Sequence, residues 1–99
     1  MYGTIARLKV KPGTETALMA QGKNTDTVKI PGHIGEFIYR MDADPKEYYL
    51  VVIFESKEAY VANANSPDQN KRYEEMLALL ESAPEWHDGE IVHSFPKLG

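Results

Sequence analysis

The spacing of apolar residues predicts a ferredoxin-like α+β fold, ordered β-α-β-β-α-β with a four-stranded antiparallel sheet. Three observations carry this prediction. The N-terminal segment alternates apolar and other residues with the two-residue period of a strand. Two strand-like runs flank a short Asp- and Pro-rich turn in mid-chain, and so short a turn makes an antiparallel hairpin. Helix start signals and helical periodicity occupy the stretches on either side of that hairpin.

In the first strand, Tyr2, Thr4, Ala6, Leu8 and Val10 face one way, and Gly3, Ile5, Arg7 and Lys9 face the other. Lys11-Pro12-Gly13 ends it, because Pro cannot donate to a ladder. Thr14 is placed to cap a helix from about Glu15 to Lys29, with Ala17, Leu18, Gly22 and Val28 on a thin apolar face. Pro31-Gly32 closes that helix. His33 to Met41 reads as the second strand, Asp42 to Glu47 as the turn, and Tyr48 to Phe54 as the third strand. Ser56 caps a short helix through Tyr60 and Asn63. Ser66-Pro67-Asp68-Gln69 then restarts the helix, with Ser66 as N-cap, Pro67 in the first turn and Gln69 completing a capping box. Tyr73, Met76, Leu77 and Leu80 form its apolar stripe. Ser82-Ala83-Pro84 stops it, and the last strand is expected at about Glu90 to Phe95.

Ninety-nine residues fit one domain, 1–99, with one core. A chain of this size buries only about 60–65% of its unfolded surface, so a ligand cavity has to come from a gap between sheet and helices or from a partner chain. The formal net charge of −4 argues against nucleic acid and anionic membranes as partners. The chain has no cysteine, which excludes disulfides, thiolate catalysis and Cys-based metal sites. No secretory leader pattern is visible, and the longest apolar run, Tyr48 to Phe54, is far too short to span a bilayer. A cytoplasmic location is expected.

Tyr48 to Phe54 is apolar on both faces. Helices can cover only one face of a four-stranded antiparallel sheet, and a solvated second face calls for alternation. A second copy of the chain is the simplest cover, so a homodimer through that sheet face is expected. Arg7 points to the same side and needs a carboxylate, such as Glu36 or Glu55.

Val10-Lys11-Pro12-Gly13, Pro31-Gly32, Phe54-Glu55-Ser56-Lys57-Glu58-Ala59-Tyr60 and Asn65-Ser66-Pro67 together resemble the antibiotic biosynthesis monooxygenase-like domains of the dimeric α/β barrel superfamily. The resemblance covers nearly the whole chain and rests on turns and caps. It implies a dimeric α/β barrel. It also implies a cofactor-independent monooxygenase, or a related enzyme, acting on a small aromatic or quinol-like molecule. A non-catalytic dimeric module, binding a small molecule or serving structure alone, is the alternative. The places where haem-degrading relatives carry Asn, Trp and His hold Ala6, Asn63 and Tyr73, so haem degradation is not implied. Other relatives carry histidines where this chain has Asn63 and Asp68.

The candidate ligand-binding residues are Phe54, Tyr60, Asn63, Tyr73, Met76 and His93. The aromatic residues suit a flat aromatic ligand between helix and sheet, with Tyr39, Tyr48, Tyr49, Trp86 and Phe95 adding further rings. Asn63 is unfavourable inside a helix and lies three residues from Tyr60, hence on the same face, where its amide can meet a carbonyl or oxyanion. His93 is expected in the last strand, with a near-neutral pKa suited to proton transfer. Neither His33, His87 nor His93 has a histidine at metal-pair spacing, and Asp42 and Asp44 read as turn formers. No phosphate loop, Rossmann glycine pattern or nucleophile elbow is present. No metal or cofactor is expected.

Overall fold

The computed structural model describes residues 1–25 and 28–98. Its elements are β1 (Tyr2–Lys9), α1 (Glu15–Thr25), β2 (His33–Arg40), β3 (Glu47–Phe54), α2 (Lys57–Ala64), α3 (Pro67–Leu77) and β4 (Glu85–Glu90). They form one antiparallel sheet in the order β2-β3-β1-β4, the ferredoxin-like arrangement that the sequence predicts.

The caps explain where the helices begin. Ser56 Oγ accepts from the Ala59 amide at 3.1 Å and starts α2. Ser66 Oγ accepts from the Gln69 amide, also at 3.1 Å, and restarts the chain as α3 behind Pro67. The capping box is half made, because Gln69 Oε1 accepts from Arg72 instead of reaching back. Thr14 carries the first α1 carbonyl, which Leu18 N–H meets. Its hydroxyl turns away from the helix to the carbonyls of Lys11 and Leu79, at 2.7 and 3.0 Å. Thr14 thus fastens the start of α1 to the end of α3.

Three boundaries differ from the sequence expectation, the first being that α3 ends at Leu77, so that Leu80, expected on its apolar stripe, instead bridges Val10. Helix α1 ends at Thr25, and Val28 and Lys29 lie outside it; Asp26 and Thr27, part of the expected helix, fall outside the described residues. Val28 remains 46% exposed, so it is not the apolar anchor that the expected helix face required. The last strand lies earlier than Glu90 to Phe95. Glu85–Glu90 pairs with β1 from Tyr2↔Glu90 to Arg7↔Glu85. It is an edge strand with every residue exposed, so it carries no apolar alternation to reveal it. Val92 and Phe95, which suggested a strand, are almost fully exposed beyond it.

Register sorts the side chains into two faces. Thr4, Ala6 and Leu8 of β1 sit opposite Val52, Leu50 and Tyr48 of β3, and this face lies under the helices. Ala6, Leu8, Val10, Leu18, Tyr48, Leu50 and Leu80 form the core, with Ile38, Val52, Met76 and Leu79 packed against it. The other face has no helix. Ile5, Phe37 and Tyr39 are 50–55% exposed there, beside Tyr49 and Val51. Arg7 also belongs to this face, but its carboxylates are not Glu36 or Glu55. Arg7 Nε donates to Glu47, and Glu85, directly across β1·β4, lies 3.9 Å away. Glu36, opposite Val52, points to the helix side instead. The hydrogen bond to Glu47 raises the Arg7 pKa above its ordinary value.

Candidate functional site

Between the helices and the covered sheet face lies a cavity of about 520 Å³. Ligand pockets span roughly 300–1,000 Å³. Strands β1, β2 and β3 form its floor, α1, α2 and α3 its walls, and β4 contributes Trp86 and Asp88. Apolar groups dominate the lining, with Leu8, Leu18, Ile38, Leu50, Val52 and Met76 among them.

Five of the six candidates meet here. Phe54, Tyr60, Asn63, Tyr73 and Met76 all line the cavity. His93 does not. It is exposed and lies beyond the end of β4, because the strand expected to carry it ends at Glu90. Tyr60 and Asn63 share the inner face of α2, as their spacing predicts. The rings pack edge to face in a chain. Tyr2 meets Tyr60 at 5.3 Å between centroids, Tyr60 meets Phe54 at 5.7 Å, and Phe54 meets His33 at 5.4 Å. Trp86 and Tyr73 pair separately at 6.0 Å.

Polar groups interrupt this wall at a few points. Tyr60 donates its hydroxyl proton to Asp88 Oδ1 at 2.8 Å. Burial pushes the Tyr60 phenol up and donation to Asp88 adds to it, while the Thr4 hydroxyl acts the other way; the pKa stands at about 12. Tyr60 is therefore a neutral donor throughout the physiological range. Thr4 Oγ1 is occluded beside that phenol, close enough to oppose the rise, but it makes no hydrogen bond of good geometry to any described residue. His33 and Glu36 supply a second polar point. His33 Nε2 lies 3.3 Å from Glu36 Oε1, within ion-pair range but without hydrogen-bond alignment.

His33 and Glu36 meet because β2 is irregular. Residues three apart on a regular strand point to opposite faces. The pairing steps from His33↔Phe54 to Gly35↔Ile53, so Ile34 is an extra residue on β2. A bulge of this kind re-aims the side chains next to it. It brings His33 onto the covered face beside Glu36, a juxtaposition that spacing alone hides. Asp88 was hidden for another reason, the missing apolar signal of β4. Among the described residues no group of three or more His, Asp or Glu side chains could hold a metal ion. No described helix is long and apolar enough to cross a membrane.

The sheet order, the helix pair broken at Ser66 and the cavity between sheet and helices define a ferredoxin-like α+β protein with an internal ligand-sized site. Comparison with known proteins places it more narrowly. The family model for antibiotic biosynthesis monooxygenase matches residues 1–75, and the chain belongs to that family. No curated protein matches the sequence. Among solved structures, it is similar to a variant of SnoaB, a cofactor-independent oxygenase from Streptomyces nogalater. That match has a TM-score of 0.82 and 13% identity, covering 97% of each chain. A candidate antibiotic biosynthesis monooxygenase from Chloroflexus aurantiacus J-10-fl matches with a TM-score of 0.78 and 21% identity, covering 99% of this chain and 98% of the other. Another, from Bordetella bronchiseptica, gives 0.79 and 22%, covering 93% and 97%. At these identities the structural likeness establishes the fold.

Proposed function

We propose that this chain is a cofactor-independent monooxygenase acting on a small hydroxylated aromatic or quinol-like molecule. The observation that carries the reading is the cavity of about 520 Å³, walled by aromatic and aliphatic side chains with a few polar groups aimed inward. Membership of the antibiotic biosynthesis monooxygenase family supports it, as does the fold shared with a cofactor-independent oxygenase. In such chemistry the substrate supplies the electrons. Once deprotonated, an electron-rich ring carbon reduces dioxygen; one oxygen atom forms a C–O bond and the other leaves as water, while a ring CH₂ becomes a carbonyl.

The chain's tasks are then positioning, water exclusion and proton handling. The Tyr60–Phe54 and Tyr73–Trp86 pairs offer faces for a flat ring. The Asn63 amide, on the cavity wall, is a donor for a developing oxyanion. The neutral Tyr60 phenol, oriented by Asp88, fixes that end of the cavity. Oxygen uptake over a panel of hydroxylated anthrones and quinols tests the proposal. Uptake is expected to fall about a hundredfold in Asn63→Ala. Uptake no greater than in an Asn63→Ala, Tyr60→Phe control refutes catalysis. Ligand-dependent thermal stabilisation without uptake would favour the binding module instead.

We propose in addition that two copies pair through the open sheet face. Ile5, Phe37 and Tyr39, each at least half exposed, make an apolar patch of the kind that monomers seldom leave uncovered.

A further inference from the structure

We propose that Glu36 is the proton acceptor of this site, with His33 as its positioning residue; the inference rests on the oxygenase reading above. Glu36 is a carboxylate on a face where the strand pattern calls for apolar side chains. Its register partner is Val52, and Ile38 follows it on the same face. Its side chain is only 22% exposed, and it lines the cavity. A carboxylate in such a place costs free energy unless partnered. Its partner is His33, whose Nε2 is occluded from solvent and faces Glu36 Oε1 at 3.3 Å.

The occlusion separates the two roles. A ligand in the cavity cannot reach an Nε2 that solvent cannot reach, so His33 acts through Glu36. The ring is held edge to face against Phe54, and the bulge at Ile34 fixes its side of the sheet. The distance is long and the alignment poor, as is common before a ligand tightens a catalytic contact. Asp88, the other cavity carboxylate, already accepts from Tyr60 and stands on the exposed edge strand. Glu36 has no comparable donor other than His33 among the described residues.

The step is a proton transfer. The acidic C–H or O–H bond of the hydroxylated aromatic breaks, and its electron pair stays on the ligand, spread over ring and oxygen. A new O–H bond forms on the Glu36 carboxylate, and His33 Nε2 steadies the carboxyl group. The ligand anion is the species able to reduce dioxygen.

Anaerobic binding of 1,8-dihydroxyanthrone tests this, because its anion is coloured and cannot be consumed without oxygen. Trp86, the single tryptophan of the chain, lies on the cavity wall and reports occupancy by fluorescence quenching. Wild type mixed anaerobically with the anthrone is expected to form the bound anion rapidly, read by its absorbance in stopped flow. Glu36→Gln is expected to slow anion formation by about a hundredfold or more. His33→Asn is expected to slow it by a smaller factor. Binding of anthraquinone, which has no proton to give, should change less than about twofold in both variants, which also shows that the cavity is intact. Unslowed anion formation in Glu36→Gln, or slowing in Asp88→Asn instead, overturns the assignment while leaving the oxygenase reading in place. If neither compound quenches Trp86 in the wild type, the cavity does not take aromatic ligands, and both readings fall.

Discussion

Replacing Tyr60 by Phe removes one hydroxyl and leaves the ring to pack against Tyr2 and Phe54. What is lost is the 2.8 Å bond to Asp88. Burial disfavours the phenolate, and ionising Tyr60 would in addition destroy that bond and set a phenolate beside a carboxylate, so the fold favours the neutral phenol. A pKa held at about 12 instead of 10.0 corresponds to about 2.7 kcal/mol. The ring is only partly shielded from water, and screening reduces this to about 1 kcal/mol, similar to the net worth of one hydrogen bond. That contribution is present in full below the unfolded phenol's pKa near 10 and is lost as pH rises through the folded value near 12. Urea unfolding followed by circular dichroism should therefore show wild type about 1 kcal/mol more stable than Tyr60→Phe at neutral pH, with the gap closing above about pH 10. The difference between their ultraviolet alkaline titrations isolates one phenol among the six of the chain. Its midpoint should lie near 12 and fall in Asp88→Asn, which removes the negative charge beside the phenol but not the burial. A midpoint at the ordinary value, with a gap independent of pH, would refute the coupling of Tyr60 to Asp88.

A Cβ on Gly3 would lie 2.0 Å from the Val52 carbonyl oxygen, which is backbone and cannot yield, so Gly3→Ala should cost at least about 3 kcal/mol in urea unfolding or abolish folding. Leu8→Ala should cost about 3 kcal/mol, toward the low part of the large-to-small range, because Leu8 already borders an open space; melting should drop by about 4–8 °C for each kcal/mol. Ser66→Ala removes the α3 cap and should cost about 1 kcal/mol without changing fold or cavity occupancy. Light scattering after gel filtration should return twice the single-chain mass, and Phe37→Asp, on the open sheet face, should shift the protein to monomer; single-chain mass for the unaltered protein at micromolar concentration would sink the pairing proposal.

The sequence reveals those parts of the molecule whose burial follows a regular period. Thr4, Ala6 and Leu8 alternate because one face of β1 is covered, and Tyr48 to Phe54 lacks alternation because β3 is central with apolar side chains on both faces. Ser56 and Ser66 announce α2 and α3 by local hydrogen bonding that needs no tertiary information. Tyr60, Asn63, Tyr73 and Met76 could be grouped because helical spacing decides which side chains share a face. Edge strand β4 is exposed and polar, so its signal is weaker than that of Val92 and Phe95, which pair with nothing in the sheet. His33 and Glu36 are separated by a spacing that a regular strand would send to opposite faces, and only the bulge at Ile34 reunites them. Arg7 finds Glu47 and Glu85 through register across two neighbouring strands, a long-range property that no local pattern encodes.

The two C-terminal helices, separated by the break at Ser66, are fastened differently. At its far end α3 is fastened by backbone: Lys11 N–H and the Thr14 hydroxyl both reach the Leu79 carbonyl, Val10 bridges Leu80, and Glu81 N–H returns to Lys9. Helix α2 has its own cap at each end, but its hold on the sheet is through side chains: the Tyr60 ring packs on Tyr2 and Phe54, and its hydroxyl bonds Asp88. Tyr60 and Asn63 ride on that helix. The side chains that would greet a ligand are therefore also among those that fasten this part of the wall to the sheet.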